Sequence, residues 1–558
     1  MPRIVLGGAE SVGAALTSRK RKRCPFESYN ESETVGVLTN LISRGQLSIA
    51  SAAEIARSVV KDHDLPDAAV KAFSSLGCDG AHPANSERDL HRWLRGLYNF
   101  KLEPYVISLN LQVDGVEARP VQVRALLPHE VIDCLAKAGC PSAFDSMMLG
   151  HLDTASREKF WCHVQHLVRS AVETTIANVF AWSMKCSSSG VAPVTGFYDE
   201  EFKKTSYRYG MKGQTLALGW RACYFTMKAD LKARHQMNLF QRWYRCSLLC
   251  DSCLASSGKR SCRFMNYRNF GTSAAWPLTV LSHEDYLRLE AVPSPWVSVE
   301  GFRLGSVSWD LLHLIFLGHG RDLVASAIRV IIREGCYDYV CYDYVGSNQL
   351  DAILSVVHKE IHDTCTKNGY YVPCKPVLSE ANMGGCEYAE IGSRYKASRV
   401  KVLLWWITRK SQEVADASPT NALLQVLATC CWALQRFLEV IDNAGLVVEP
   451  EEAAEGSSTL WAHVRLYAWL ALYCSDRKLL LFKVRPKAHY LCHVAMSLSQ
   501  TRLNFNAFHT FDEESFLGKI KSICQKTHGS TMTQRIYQRY CLCLALFLHH
   551  QRQIDKSV

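Results

Sequence analysis

Helical periodicity dominates the second half of this 558-residue chain. From Ser308 onward, apolar residues recur at intervals of three and four, a spacing that places them on one face of a helix. The predicted helices are Leu311–Ile332, Asn348–Thr366, Ser398–Arg409, Thr420–Asn443 and Leu460–Cys474. We interpret the acidic run Glu449–Ser458 as a surface loop. A chain with this pattern must contain a large all-α part.

The first half mixes helical and strand patterns. Val35–Gly77 has helical spacing, whereas Tyr105–Val113 alternates apolar and polar residues like a strand. Asp114-Gly115 is a hairpin-turn dipeptide that leads into a second strand over Val121–Ala125. A helix is predicted to start at Pro128 and Glu130. The fold class expected from both halves is α/β plus a large all-α part, mainly helical overall.

Three further segments lead towards the basic part of the chain. Arg157–Met184 predicts a long helix, and Cys186–Pro193 predicts a loop because it is rich in Ser, Gly and Pro. Trp220–Met227 is a β-like run that ends just before Asp230. We therefore expect Asp230 to lie at the end of a strand.

Positive charge is concentrated in one block. Between Phe202 and Arg268 there are fourteen Lys and Arg residues but only two acidic residues, whereas the whole chain has a net charge of +11. Eleven aromatic residues are interleaved with these cations. Cations neutralise phosphates and aromatic rings stack on bases, so the block predicts DNA binding; a solvated basic face is the alternative. The expected DNA-contacting residues are Lys203, Lys204, Lys232, Arg234, Arg242 and Arg245.

Composition and the N-terminal residues point to a reducing, nuclear environment. The 23 cysteines are scattered rather than framed at regular intervals, and Met1–Leu16 does not read as a secretory signal. Five consecutive cations at Arg19–Arg23 suit a nuclear-import signal or a phosphate-binding arm. No apolar run is long and uninterrupted enough to predict a membrane span, so no membrane partner is expected. The chain has no Walker-type, GxSxG or GxGxxG motif, which argues against a nucleotide-binding loop or a serine hydrolase.

The strongest local metal signal is Cys250-x-x-Cys253, because two thiolates at this spacing can bind one Zn²⁺ from a tight turn. Cys246 and Cys262 offer a local completion of the site, although their spacing matches no standard zinc ribbon. A redox pair would need a thioredoxin-like setting that is not evident here, and buried thiols without metal are the remaining alternative.

Histidine pairs supply the other metal-type patterns. His489 and His493 are four residues apart and so share one helical face, where they can bind one metal. His358 and His362 have the same spacing but are interpreted as a solvated helix face. Asp310-x-x-His313 is a polar pair inside an apolar run, either hydrogen-bonded in a helical core or sharing a ligand.

Taken together, these motifs resemble cut-and-paste DNA transposases. The resemblance lies in motif type and order, from about Pro193 to the C-terminus with gaps. The matching stretches are "TMKADLKARHQMNLFQRWYRCSLLCDSC", "PWVSVEGFRLGSVSWDLLHLIFLGHGRDLVAS" and "RPKAHYLCHVAMS…FHTFDEESFLGKIK". Such enzymes have an RNase H-like core in which Asp, Asp and Glu hold two Mg²⁺ or Mn²⁺ ions, and a helical insertion often interrupts that core. Asp310-Leu-Leu-His313 looks like the Asp/Cys-x-x-His motif that commonly follows the second Asp.

The resemblance also implies a set of site residues. Asp230 matches the second catalytic Asp, and Glu513 or Glu514 matches the Glu. The best match to the first Asp is the stretch "VTGFYDEEF", which gives Asp199, Glu200 or Glu201 but lacks the Gly-Asp of the family pattern. In the related recombinase of antibody gene rearrangement, a CxxC after the second Asp pairs with two histidines before the Glu. Cys250, Cys253, His489 and His493 stand in these positions and imply a split structural zinc site.

This interpretation divides the chain into five parts. They are a disordered basic tail (1–34), a small helical domain (35–95), a β-containing core with a basic segment (96–253), a mostly helical insertion (254–484) and a helical block that completes the core (485–558).

Three functions remain open at this point. The chain is a metal-dependent DNA strand transferase or nuclease, a transposase-derived DNA-binding protein without catalysis, or a zinc-stabilised helical scaffold for protein partners. A homo-oligomer is left open.

Overall fold

The described part of the protein is mainly helical. The structure, a computed structural model, describes residues 49–62, 102–113, 116–138, 169–227, 229–257, 263–290, 293–343, 349–370, 376–385 and 387–511, with isolated positions at 38, 521, 525 and 536. Its helices are α1 Ile49–Asp62, α2 Pro128–Ala138, α3 Arg169–Ser189, α4 Tyr207–Met211, α5 Leu231–Met237, α6 His283–Leu289, α7 Gly320–Arg333, α8 Gln349–Lys367, α9 Ala397–Ala417, α10 Ala422–Asn443, α11 Pro450–Asp476 and α12 Pro486–Thr501. The basic tail, Cys262, Glu513 and Glu514 lie outside the described residues.

A single antiparallel hairpin forms the sheet seen in the described residues. Strand β1 (Tyr105–Val113) pairs with β2 (Val116–Ala125). Alternation fixes its faces, since Ile107 is fully buried whereas its neighbour Val106 is exposed. The predicted strands and the helix starting at Pro128 are confirmed. The larger sheet of an RNase H-like core is not seen within the described ranges.

Two local predictions on the way to the basic block are wrong. Helix α3 continues through Ser189, so the predicted loop begins only at Gly190, whose φ of +72° suits a residue without a Cβ. Trp220–Met227 is not a strand: it has one isolated bridge, from Met227 to Val307. The described residues hold no sheet that this aromatic segment could join, and its first residue, Trp220, is 61% exposed. Aromatic, β-like composition favours a strand only where a neighbouring strand covers it.

The acidic run Glu449–Ser458 is also not a loop, because most of it is the start of α11. Glu449 is the N-cap residue, Pro450 occupies the first turn, and Glu451 and Glu452 follow. Proline suits a first helical turn and carboxylates are stabilised by the positive end of the helix dipole. The same residues that look like a solvated loop therefore make a favourable helix start.

Two large hydrophobic cores organise most of the described residues, and a small third cluster packs α2 against Ala192, Leu216 and Ala217. The larger combines α7–α12, the π-helical segment Leu312–His319 and the residues around Cys250. The smaller joins the hairpin to α3, α5 and the segment Trp296–Val307. α10 has the length and apolar composition of a membrane span, but 61% of its most apolar stretch is buried inside the protein. The five predicted domain boundaries stay predictions.

Candidate metal centre

A short hairpin-like turn carries the two cysteines. Leu248 bridges antiparallel to Ser256, and the Leu249 amide donates to the Ala255 carbonyl at 3.3 Å. Cys250 and Cys253 are both fully buried at the tip of this turn. The amides of Ser252 and Ala255 each donate to a cysteine sulfur, Cys250 and Cys253 respectively, at 3.4 Å. N–H groups aimed at sulfur favour its thiolate form, the form that binds metals.

The two histidines project from α12. This helix begins with Pro486 in its first turn and ends at Thr501, where the C-cap residue Arg502 has a left-handed φ of +57° that stops it. His489 and His493 are one turn apart on its buried face, with exposed fractions of 0% and 5%. The helical spacing thus aims both imidazoles at the cysteine turn.

The four predicted ligands converge on one point, with all ligand atoms within 4.8 Å of one another. The Cys250 sulfur lies 3.3 Å from Nε2 of His493, the Cys253 sulfur lies 3.4 Å from Nε2 of His489, and the two Nε2 atoms are 3.2 Å apart. A tetrahedral zinc with ordinary Zn–S and Zn–N bonds has S···N and N···N edges of about 3.6 and about 3.3 Å. The donor set and its spacing fit Zn²⁺.

Burial favours the uncharged forms of these side chains when no metal is bound. It raises the pKa of the Cys250 thiol well above its usual range, and burial together with His493 lowers the pKa of His489 well below its own. The Nδ1 atom of His489 has no hydrogen-bond partner among the described residues. Two thiolates and one Zn²⁺ would form an electrically neutral unit, which suits an apolar interior.

Two tryptophans enclose the imidazoles. Trp276, fully buried, lies with its ring centre 4.3 Å from that of His489, and Trp309 stacks on His493 at 5.8 Å. The Tyr490 hydroxyl donates to the Leu249 carbonyl at 2.7 Å, which ties α12 to the cysteine turn independently of any metal. These rings exclude water and fix the histidine orientations. Sequence reasoning did not identify them, because buried aromatic residues have no motif.

Arg234 is buried, which does not suit its predicted role as a DNA contact. It is 2% exposed and forms a bidentate ion pair with Asp251, which lies between the two cysteines, at 2.9 and 3.0 Å. Burial alone raises the pKa of the Asp251 carboxyl, but the Arg234 guanidinium lowers it below its usual range. Arg234 also lies 3.8 Å from the Trp309 ring centre. It therefore holds the cysteine turn against Trp309.

Arg242 has the same inward role. It pairs with the buried Glu290 at 3.2 Å and donates to the Cys253 carbonyl at 3.4 Å. The other four predicted DNA-contacting residues, Lys203, Lys204, Lys232 and Arg245, are exposed. Counting cations could not separate the two groups, because a buried arginine with a carboxylate partner has the same sequence signature as a free one.

The predicted catalytic carboxylates are only partly described. Asp230 is the N-cap of α5, where its Oδ1 accepts from the Ala233 amide at 2.6 Å, rather than the end of a strand. Asp199 lies in an exposed turn with φ +60°. The Glu200 carboxylate accepts a hydrogen bond from the Tyr105 hydroxyl at 2.7 Å. Within the described ranges, the Cys₂His₂ group is the one cluster of three or more converging metal-type ligands.

The Asp-x-x-His motif contacts the chain just before Glu513. Asp310 is 3% exposed and hydrogen-bonds to Nδ1 of His313. Of the two sequence interpretations, this contact favours the hydrogen-bonded pair over a shared ligand. It also accepts from the Thr510 amide at 3.0 Å and from the Thr510 hydroxyl at 2.8 Å. Two hundred residues separate Asp310 from Thr510, and no sequence pattern links them.

Two remaining sequence interpretations are decided by burial or position. Cys246 is partly exposed and lies outside the Cys₂His₂ cluster; its sulfur contacts the Gln241 carbonyl at 3.5 Å. His358 is 8% exposed, so the His358/His362 pair is not a fully solvated face.

Comparison of the chain with known proteins found no related protein or family. No family model matches the chain, and neither the curated proteins nor the solved structures contain a match.

Proposed function

We propose that this protein is a zinc-containing, DNA-binding protein of the cut-and-paste transposase kind, in which one Zn²⁺ clamps the cysteine turn to α12. The observation that carries the proposal is the convergence of Cys250 and Cys253 with His489 and His493. The cysteines follow Asp230 and the histidines precede Glu513, the order that the resemblance implies. Zinc at such a closed site supplies structural stabilisation.

The clamp acts through this chain's own residues. Backbone amides of Ser252 and Ala255 hold the sulfurs, the tryptophans enclose the imidazoles, and Arg234 neutralises Asp251. Together they join a segment of the basic block to a helix 236 to 243 residues later. DNA would be held by exposed cations beside this junction.

The proposal extends to an RNase H-like core and to strand transfer with Mg²⁺ or Mn²⁺. The contact between Asp310 and Thr510 supports it, because it anchors the chain three residues before Glu513. Asp230, Asp199 and Glu513 or Glu514 are the proposed metal-holding carboxylates. Two bound metals would activate the attacking hydroxyl and stabilise the leaving oxygen.

The test of catalysis is metal-dependent nicking of DNA that carries the ends of a transposon. Asp230→Asn is the informative variant, because asparagine can still cap α5 while removing the negative charge. Loss of nicking in this variant with an unchanged melting temperature supports catalysis. Nicking that persists in Asp230→Asn excludes Asp230 as a catalytic residue.

The second candidate is the same DNA-binding protein without catalysis. The isolated position of Asp199 in an exposed turn favours it. It predicts salt-sensitive DNA binding with no cleavage in Mg²⁺ or Mn²⁺. The mainly helical structure instead favours the third candidate, a zinc-stabilised scaffold, which predicts no DNA affinity at moderate salt.

A further inference from the structure

A large open cleft of about 980 Å³ lies beside the metal centre. One wall comes from the segment 263–272, which follows the cysteine turn, and the other comes from α11 and the segment 481–484. Its volume is at the upper end of small-ligand pockets, and it is open to solvent along one side, so it suits an extended ligand.

The charge of this cleft, which we call the cationic cleft, is one-sided. Arg263, Arg268, Arg465 and Lys483 line it, and none of its eighteen lining residues carries a carboxylate. No ion pair involving these four cations occurs among the described residues. Unlike Arg234 and Arg242, they therefore have no carboxylate partner among the described residues. Cations in a concave surface raise the local concentration of anions.

Hydrogen bonds and ring contacts hold several of these cations in position. The Arg465 Nε donates to the Phe270 carbonyl at 3.1 Å, which joins the two walls. Lys483 lies 5.3 Å from the ring centre of Tyr388, and Arg268 donates to the Tyr267 hydroxyl at 2.9 Å. The carbonyl and hydroxyl partners leave the cationic charge uncompensated.

Aromatic surface accompanies the charge. Trp469 lines the cleft, is 41% exposed and stacks on Tyr473 with ring centres 5.2 Å apart. Tyr388 is a second lining ring. A groove of cations that follows a phosphate backbone, with rings on which unpaired bases stack, is how proteins bind single-stranded nucleic acid. A free phosphate or a lipid headgroup would not need the exposed rings.

We infer that the cationic cleft binds single-stranded nucleic acid, with phosphates on Arg263, Arg268, Arg465 and Lys483 and a base on Trp469. The inference rests on the proposed nucleic-acid binding and moves its main contact surface away from Lys203 and Lys204. It also couples binding to zinc, because the Trp276 indole N–H donates to the carbonyl of the lining residue Asn269 at 2.7 Å while its ring packs on His489.

The test uses the full zinc-loaded chain and a fluorescein-labelled single-stranded oligonucleotide, followed by anisotropy at several salt concentrations. The variant Arg263→Gln/Arg268→Gln/Lys483→Gln should bind at least about tenfold more weakly, with a salt slope shallower by about 2, since each phosphate contact on a single strand contributes about 0.7. Trp469→Ala should weaken binding about tenfold by loss of stacking.

The matched control is Lys359→Gln/Lys367→Gln, which removes two exposed cations of α8 outside the cleft. It should bind nearly as the parent protein does. If the control loses affinity and the triple variant does not, the cleft inference is overturned while DNA binding by the protein survives. If the parent protein binds neither the single-stranded oligonucleotide nor duplex DNA, or binds only anionic phospholipid vesicles, both the inference and the proposed function fail. If duplex DNA of the same sequence is preferred, the single-strand assignment is wrong. Zinc content and melting temperature, measured for every variant, must match the parent protein.

Discussion

The sulfur of Cys250 lies 3.3 Å from Nε2 of His493, although 243 residues separate them along the chain. A contact of this sequence separation costs considerable chain entropy to close. Buried thiols and imidazoles repay little of that cost by themselves, whereas a shared metal ion does. The predictions below follow from this relationship and from the residues that support it.

Removal of one ligand should abolish zinc binding. Cys250→Ser or His493→Ala leaves three ligands in a buried site, so bound zinc should fall from stoichiometric to near zero and the protein should unfold at a lower temperature. Zinc measured by atomic emission and thermal melting check this. Cys246→Ser is the matched control and should retain zinc, because Cys246 lies outside the cluster.

Arg234→Met should destabilise the protein by about 3–5 kcal/mol, because it leaves the Asp251 carboxylate buried without its partner. Urea unfolding measures the change. The exposed Lys232→Gln, two residues earlier on the same helix, should change stability by less than about 0.5 kcal/mol. An Arg234 variant with unaltered stability but weakened DNA binding would instead support the original DNA-contacting role.

Thr510→Val should cost about 1–3 kcal/mol, because it removes the hydroxyl that donates to the buried Asp310. Thr510→Ser keeps this hydroxyl and should remain close to the parent protein. Denaturant unfolding of the three proteins distinguishes the loss of the hydrogen bond from the loss of a methyl group. Equal destabilisation by both substitutions would show that the hydrogen bond is unimportant.

Acid should unfold the protein through buried neutral histidines. Burial lowers the pKa of His463 to about 4, and burial with the nearby Arg208 lowers that of His129 to about 3. Their unfolded pKa is higher, so the unfolded state takes up protons first as pH falls below about 6.5, and stability drops by up to about 1.4 kcal/mol per pH unit for each histidine. Above about pH 6.5 the two histidines are neutral in both the folded and the unfolded state, so their contribution to the free energy of unfolding no longer changes with pH.

Urea unfolding at a series of pH values tests this behaviour. His463→Asn should flatten the pH dependence between about pH 6.5 and pH 4, the range between the two pKa values. Thr429→Ala, which changes an exposed side chain of α10 that carries no titratable group, should leave the dependence unchanged. An identical slope in all three proteins would contradict the role of His463.

Local sequence patterns predicted the secondary-structure elements better than they predicted the environment of the charged residues. The alternation at Tyr105–Val113 identified β1, and helical spacing identified the cores of α8, α9 and α10, because burial on one face imposes that spacing. The inward turn of Arg234 and Arg242 depends on Asp251 and Glu290, and a single sequence does not reveal such pairs. Spacing alone identified the Cys250/Cys253 and His489/His493 pairs, and the family resemblance joined them into one candidate site, since the distance between the pairs is set by folding.

The most direct test is zinc X-ray absorption spectroscopy on the purified full chain. The account predicts bound zinc with two sulfur neighbours at about 2.3 Å and two nitrogen neighbours at about 2.0 Å. This shell should be lost in Cys253→Ser and in His489→Ala alike. A four-sulfur shell, or protein that folds stably without zinc and gains nothing from its addition, would contradict the clamp between the cysteine turn and α12.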